Sequence, residues 1–362
     1  MGERSRMKDR YRRFSFLSDI EGMKNALGEM RGLFFPEQPR LNTLAPKREA
    51  EWFPDESWFE ERLKEKVLNH SERGMEHPYY DEPIFEAPIV GFVRGDDPIF
   101  GQLKRVIGPH HFTPWEIMAW QAAKNRVTPP EPEAISVVSF VLPLTEKTRA
   151  DNRAALEWPA ERWAQSRLLG EIFSQRLVRE MVESLMASGI LAVSPDVTPM
   201  FNKKRYPEVG WASPWSHRHI AYAAGLGTFG MHDFLITERG CAHRLGSFVV
   251  QARLAPNRKR PDDIHAHCLH HQGYPCLKCR KRCPVEAISR EQGHDKEACY
   301  KRVAKSTLHC NARYHIFIYG CGLCATGVPC EAKIPEPLLS SRSPSPHGEE
   351  RPLECPSDGS GH

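Results

Sequence analysis

Eight of the chain's eleven cysteines fall between Cys276 and Cys330, and none precedes Cys241. Thiols packed so densely oblige that stretch to fold around covalent bridges or around metal. The compartment decides between the two. The N-terminus MGERSRMKDRYRRFSF runs on into IEGMKNALGEM, with no apolar core and no small-residue cleavage site, and no stretch approaches the apolar length of a membrane span. A myristoylation pattern fails because Arg6 stands where Ser or Thr is needed. A cytoplasmic protein with no membrane association is expected, and in that compartment clustered cysteines are metal ligands more often than disulfides.

The stretch GYPCLKCRKRCP, residues 273–284, carries C-x2-C-x3-C-P. A bacterial ferredoxin motif reads C-x2-C-x2-C-x3-C-P, so Gly273 occupies the place of the first cysteine. Further on, GCGLCATGVPCE supplies Cys321, Cys324 and Cys330. With Cys268 and Cys299 the candidate ligands are eight, enough for two sets of four, and Cys268 replaces the missing ligand across LHHQGYP. In two-cluster ferredoxins the cysteine before the proline serves the other cluster. By that logic Cys268, Cys276, Cys279 and Cys330 form one set, and Cys283, Cys299, Cys321 and Cys324 the other. Cys310 competes with Cys299. A structural zinc site could use CLKC and CGLC, but it would leave Cys283 and Cys330 without a role. Cys241 reads as an ordinary small core or loop residue.

The rest of the chain is patterned differently. A charged, aromatic and proline-rich N-terminal arm, residues 1–85, holds one helical stretch, ESWFEERLKEKVLNH. Four short apolar runs follow as candidate strands: PIVGFV (88–93), ISVVSFVLP (135–143), GILAVSP (189–195) and GSFVVQARL (246–254). Between the second and third, Leu169, Ile172, Phe173, Leu177, Met181 and Leu185 recur at helical spacing, and Gly189 follows as a stop. The alternation predicts an α/β domain over 86–255 with a crevice built from its connecting loops. PNRKRPDD reads as a linker. Residues 265–336 form a small second domain organised by its metal, and 337–362, rich in Ser, Pro and Gly, are an expected disordered tail in which Cys355 has no role.

Net charge is only +4, so any basic partner surface must be local. One candidate is Arg258, Lys259, Arg260, Lys278, Arg280, Lys281 and Arg282, a landing patch for an acidic redox carrier or for RNA phosphates. AYAAGLGTFG contains a literal G-x-G-x-x-G in Gly225, Gly227 and Gly230. Helix-like sequence precedes it and no acid follows near residue 250, which argues against the dinucleotide reading.

The stretch WSHRHIAYAAGLGTFGMHDFLIT, then RLGSFVV, CPVEAI and GCGLCATGVPCE in that order, resembles the epoxyqueuosine reductase family and its relatives, the reductive dehalogenases, over roughly residues 130–335. The resemblance implies a corrinoid-binding-like α/β domain followed by a ferredoxin-like domain with two 4Fe-4S clusters. It further implies an oxidoreductase in which the clusters relay electrons to a bound cobalamin for a reductive cleavage. It favours Cys299 over Cys310. Ser216, His217, Arg218, His219, Tyr222, Gly225, Gly227 and Gly230 are the implied cofactor-pocket residues, with His232 nearby. The partner expected is a reduced ferredoxin- or flavodoxin-type electron donor. The family's catalytic aspartate is missing, since GWASPWS stands in its place, so Glu208 or a histidine must act or the reaction differs. A tRNA substrate is weakened by that departure and by the lack of the C-terminal helical-repeat module of longer members. The alternatives are an electron-transfer protein with the same clusters and no corrinoid, and a zinc-stabilised RNA-binding module.

Overall fold

The computed structural model describes residues 53–69, 82–201, 204–206 and 210–339. Most of the N-terminal arm, Glu208 and the tail with Cys355 lie outside the described residues. In chain order the elements are α1 (Glu56–Leu68), β1 (Ile89–Arg94), α2 (Ile99–Ile107), α3 (Pro114–Asn125), β2 (Ser136–Pro143), α4 (Glu146–Ala154), α5 (Glu161–Ala187), β3 (Ala192–Val193), β4 (Lys204–Tyr206) and β5 (Gly210–Ala212). They continue with α6 (His217–Ala223), β6 (Gly227–Phe229), β7 (Leu235–Thr237), β8 (His243–Val250), α7 (Lys278–Arg282), β9 (Ile288–Ser289), β10 (Gly293–His294) and α8 (Lys296–Tyr314).

The four apolar runs form one sheet in the order β1-β2-β8-β3, and every neighbouring pair is antiparallel. The fold is thus mixed α/β, but its sheet has no parallel carboxyl edge at which a crevice could open. The register places Gly91, Ser139 and Ser247 on one face and Phe92, Val138 and Phe248 on the other. Every residue of β2 is buried, which requires cover on both faces. On the phenylalanine face, the ring of fully buried Phe59 from α1 lies 5.9 Å from Phe248 and 6.3 Å from Phe92. Asp55 caps α1 by accepting from the Trp58 amide at 2.9 Å. On the opposite face Trp215 and the α6 segment cover the small residues, with the Trp215 indole donating to Ser247 Oγ at 2.9 Å.

The long helix α5 buries Leu169, Phe173, Leu177, Met181 and Leu185, leaves Ile172 partly buried, and ends at Gly189 with φ +80°. The connection over PNRKRPDD has neither helix nor strand, yet its side chains pin it to β1, α6 and the loop after β1. Asn257 donates to Val90 O at 3.2 Å, and Arg260 bonds Asp97 at 3.2 Å and Ala223 O at 3.0 Å.

The cysteine region does not depend on metal alone for its core. Ile288, Ile316, Phe317, Ala325 and Val328 join the apolar core of the sheet. Backbone bonds splice the two parts together: the Cys241 amide donates to Cys330 O at 2.8 Å and the Ala242 amide to Glu331 O at 3.1 Å. Gly240 makes the splice possible. Its φ is +73°, and a Cβ there would stand 2.2 Å from Glu331 O, a distance no side chain tolerates. Glu331, 5% exposed, adds an ion pair with Arg153 at 2.6 Å.

Candidate metal centres and adjoining cavity

Cys268, Cys276, Cys279 and Cys330 line one cavity, together with Gly230, His232, Ile236 and Val328. Cys279 rides on the short helix α7, and Cys268 arrives from the segment that replaces the usual first cysteine. Burial pushes the Cys279 thiol up to about 12, and the charges of Cys330, Cys268 and Cys276 add to that. Cys330 moves the other way. Hydrogen bonds from Cys241 and His232 favour its thiolate over the cost of burial.

The remaining four, Cys283, Cys299, Cys321 and Cys324, line a second cavity of about 230 Å³. Cys283 is the C-cap of α7, where the chain leaves the helix before Pro284, and its sulfur accepts from the Ala287 amide at 3.2 Å. One turn of chain thus separates Cys279 and Cys283 into different cavities. Cys299 sits near the start of α8, whose N-cap Asp295 accepts from the Glu297 and Ala298 amides at 2.9 and 3.0 Å. Burial raises the Cys299 thiol to about 11. Cys310, on the same helix, is fully buried and does not line the cavity. Between Cys321 and Cys324 the chain turns at Gly322, which has φ +65° and caps the short helical turn that carries Cys324. Burial holds the Cys324 thiol well above its ordinary value, and the charges of Cys321, Cys299, Cys279 and Cys283 contribute. Cys279 on the body of α7 and Cys283 at its cap line different cavities, which sets the two cavities on either side of one short helix.

Both donor sets fit a four-thiolate centre. Binding a cation there takes the thiolate form, and burial holds Cys268 and Cys279 in one set and Cys299, Cys321 and Cys324 in the other above their ordinary values, so metal binding at either set would release protons. An iron-sulfur cluster, whose ligand sulfurs stand well apart, would supply the cation; among the described residues only His232, Cys241 and Cys330 are gathered closely enough for a single ion, and neither set of four is. Cys241, fully buried, lines neither cavity but its sulfur lies 3.9 Å from Cys330 Sγ, closer to the first centre than a bystander in the core would be.

A third cavity, of about 960 Å³, opens beside the second. Ser216, Arg218 and His219 line it, while His217, Tyr222, Gly225, Gly227 and Gly230 do not. The His217 ring bonds Ser247 Oγ at 2.9 Å, Tyr222 donates to Pro261 O at 3.0 Å, and Gly227 is spent in the β6–β7 hairpin. Gly225, φ +72°, packs against the Arg258 backbone, and Gly230 belongs to the first cysteine cavity. Sequence reading missed the opposite wall, in which Lys296, Tyr300, Ala304 and Thr307 project from α8 beside Ser213. Their spacing of four, four and three residues behind the Asp295 cap is the helical-face signal that could have found them. His219 is pushed down to about 3 by burial, then by the charge of Arg218, and its Nδ1 pairs with Ser216 Oγ at 2.8 Å. His294, Val303 and Tyr319 line both this cavity and the second cysteine cavity.

No family model matches the chain. Tetrachloroethene reductive dehalogenases of Desulfitobacterium hafniense and Dehalobacter restrictus are 35% identical to it over 74 residues, 20% of this chain. The chain is similar to reductive dehalogenases. The match spans only 12% of those relatives' length. Among solved structures, epoxyqueuosine reductase from Bacillus subtilis is 17% identical with a TM-score of 0.36, covering 79% of this chain and 70% of that one. The catabolic reductive dehalogenase NpRdhA is 18% identical with a TM-score of 0.49, covering 93% of this chain and 40% of that one. These are the two groups that the sequence motifs resemble. Among the described residues, no helix is long and apolar enough to cross a membrane.

Proposed function

We propose that the chain is an iron-sulfur reductase: two 4Fe-4S clusters, on Cys268, Cys276, Cys279 and Cys330 and on Cys283, Cys299, Cys321 and Cys324, pass electrons to a corrinoid in the large cavity. The domain reading accompanies it, with an α/β unit over 86–255 and a ferredoxin-like unit over 265–336. The carrying observation is the wall of His294, Val303 and Tyr319 shared by the second cysteine cavity and the large one. In this reading the second centre faces the large cavity and the first receives the electrons, and α7, which carries Cys279, also carries the exposed Arg280 and Lys281. Those two cations offer an acidic ferredoxin- or flavodoxin-type donor a landing point.

A bound corrinoid would supply reduced cobalt for cleavage of a bond that no side chain can reduce. The chain's own residues do the rest. Arg218 and Lys296 make the cavity electropositive and favour an anionic group within it. His219, held neutral by burial, orients Ser216 and is not a proton source. Tyr300 Oη and Lys296 Nζ have donatable protons on the cavity wall, opposite α6, and one of them protonates the product. Tyr300→Phe should lower turnover by about 10²-fold or more, within the usual range for removing a general acid, while leaving metal content unchanged. Unchanged turnover would move the role to Lys296.

The deciding experiment is anaerobic purification from a cobalamin-supplied host with iron, sulfide, zinc and cobalt measured per chain. About eight iron and about one cobalt are expected. The same iron without cobalt would make the chain an electron carrier, and zinc in place of iron would overturn the cluster assignment.

A further inference from the structure

The hairpin GTFGMHDFLIT carries a histidine that the cofactor pocket does not use. β6 and β7 pair from Gly227↔Thr237 to Phe229↔Leu235, and the turn between them is closed by the Asp233 amide donating to Gly230 O at 2.9 Å. His232 stands in that turn, 2% exposed. Gly230 admits it, since a Cβ there would lie 2.4 Å from the imidazole Cε1. The hairpin thus delivers a buried imidazole to the first cysteine cavity.

Its hydrogen bonds fix which nitrogen carries the proton. The Phe234 amide donates to His232 Nδ1 at 3.2 Å, so Nδ1 is an acceptor and the neutral ring holds its proton on Nε2. Nε2 faces Cys330 Sγ at 3.6 Å, within reach of an N–H···S bond. Fully buried Cys241 approaches the same sulfur at 3.9 Å, although its single S–H is shared with Ala325 O at 3.6 Å. The four-thiolate centre therefore meets side-chain donors at one corner, a feature that no ligand count requires.

We propose that His232 Nε2–H is a hydrogen-bond donor to the Cys330 ligand sulfur, with Cys241 assisting, and that it raises the reduction potential of the cluster on Cys268, Cys276, Cys279 and Cys330. This rests on the cluster assignment above. The cluster takes one electron from an external reductant and passes one on, and no proton leaves the imidazole. A hydrogen bond to the ligand sulfur draws off electron density and stabilises the reduced, more negative cluster. His232 touches the ligand and not the substrate, so it is a positioning residue.

The test is an EPR-monitored redox titration of the full, anaerobically purified chain with dithionite. Wild-type iron and sulfide come first, because about four iron per cysteine set establishes the clusters independently of His232. His232→Leu should weaken reduction of one cluster by roughly tenfold, which for one electron is about 59 mV, and leave the other unmoved. His232→Gln, which retains an N–H, should restore part of the shift. Full iron with an unmoved potential in His232→Leu would overturn the proposal. Should His232→Leu lose iron, the wild type still decides: ENDOR of the reduced cluster should show a deuterium-exchangeable proton that is absent in Cys330→Ser, and its absence from the wild type would overturn the proposal. Zinc bound with only one cluster present would also overturn it, since His232, Cys241 and Cys330 would then be ligands of a separate ion.

Discussion

At the scale of single residues, His111 shows how burial sets chemistry beside the large cavity. Burial, and then the charges of His110 and Lys104, push it down to about 4. Its Nε2 accepts the Ser216 amide at 3.1 Å, a bond that only the neutral ring can make. His219, at about 3, is depressed by the same cause. For both groups the unfolded chain binds a proton at higher pH than the folded one. Their contribution to stability is therefore complete above about pH 6.5 and declines as the pH falls toward 4, by up to about 1.4 kcal/mol per pH unit for each group. Denaturant titrations at pH 7.5 and 5.5 should show this slope, and His111→Asn should flatten it. An equal slope in that variant would assign the acid sensitivity elsewhere. The individual side chains were the least legible part of the sequence. Ser216, Arg218 and His219 line the cavity, but Lys296 and Tyr300 were hidden because a polar helical face that lines a cavity has the same local pattern as one that meets solvent.

At the scale of elements, helix α7 divides the two centres, with Cys279 on its body and Cys283 at its cap. Cys324→Ser should remove iron from the second centre and spare the first. Cys310→Ala should leave the iron unchanged, because Cys310 lies off the cavity wall. Loss of iron in Cys310→Ala would transfer the ligand role from Cys299. Gly240→Ala tests the splice between sheet and cysteine region. Strain at φ +73° and the clash with Glu331 O should destabilise the chain by about 2–4 kcal/mol, measured by chemical denaturation. The strands and the long helix were legible because apolar period and glycine stops are local signals. Strand direction and the Gly240 contact were not, since both depend on residues far away in the chain.

Across the whole molecule, the two cysteine cavities are lined from one short helix, and the second shares a wall with the large cavity. Two clusters bound as proposed would interact magnetically. The EPR spectrum of the fully reduced chain is expected to differ from the sum of the spectra of the two single-cluster variants, and a simple sum would place the centres apart. The split of eight cysteines into two groups was legible from spacing because C-x2-C and C-x3-C-P carry their geometry with them. The electropositive patch was only partly so: Arg258 and Arg260 are spent in ion pairs with Glu238 and Asp97, and Arg282 donates to Thr326 O at 3.0 Å.

The order of the ligands along the chain has a further consequence for biosynthesis. Cys283, Cys299, Cys321 and Cys324 are nested between Cys279 and Cys330. As the polypeptide leaves the ribosome, the inner set is complete six residues before the outer one, whose last member is tied by its carbonyl to Cys241, at the entrance to a central strand. With the ligand sets proposed above, the outer centre is the clasp that closes last, and a nascent chain halted before Cys330 would hold every ligand of one centre and an open ring at the other.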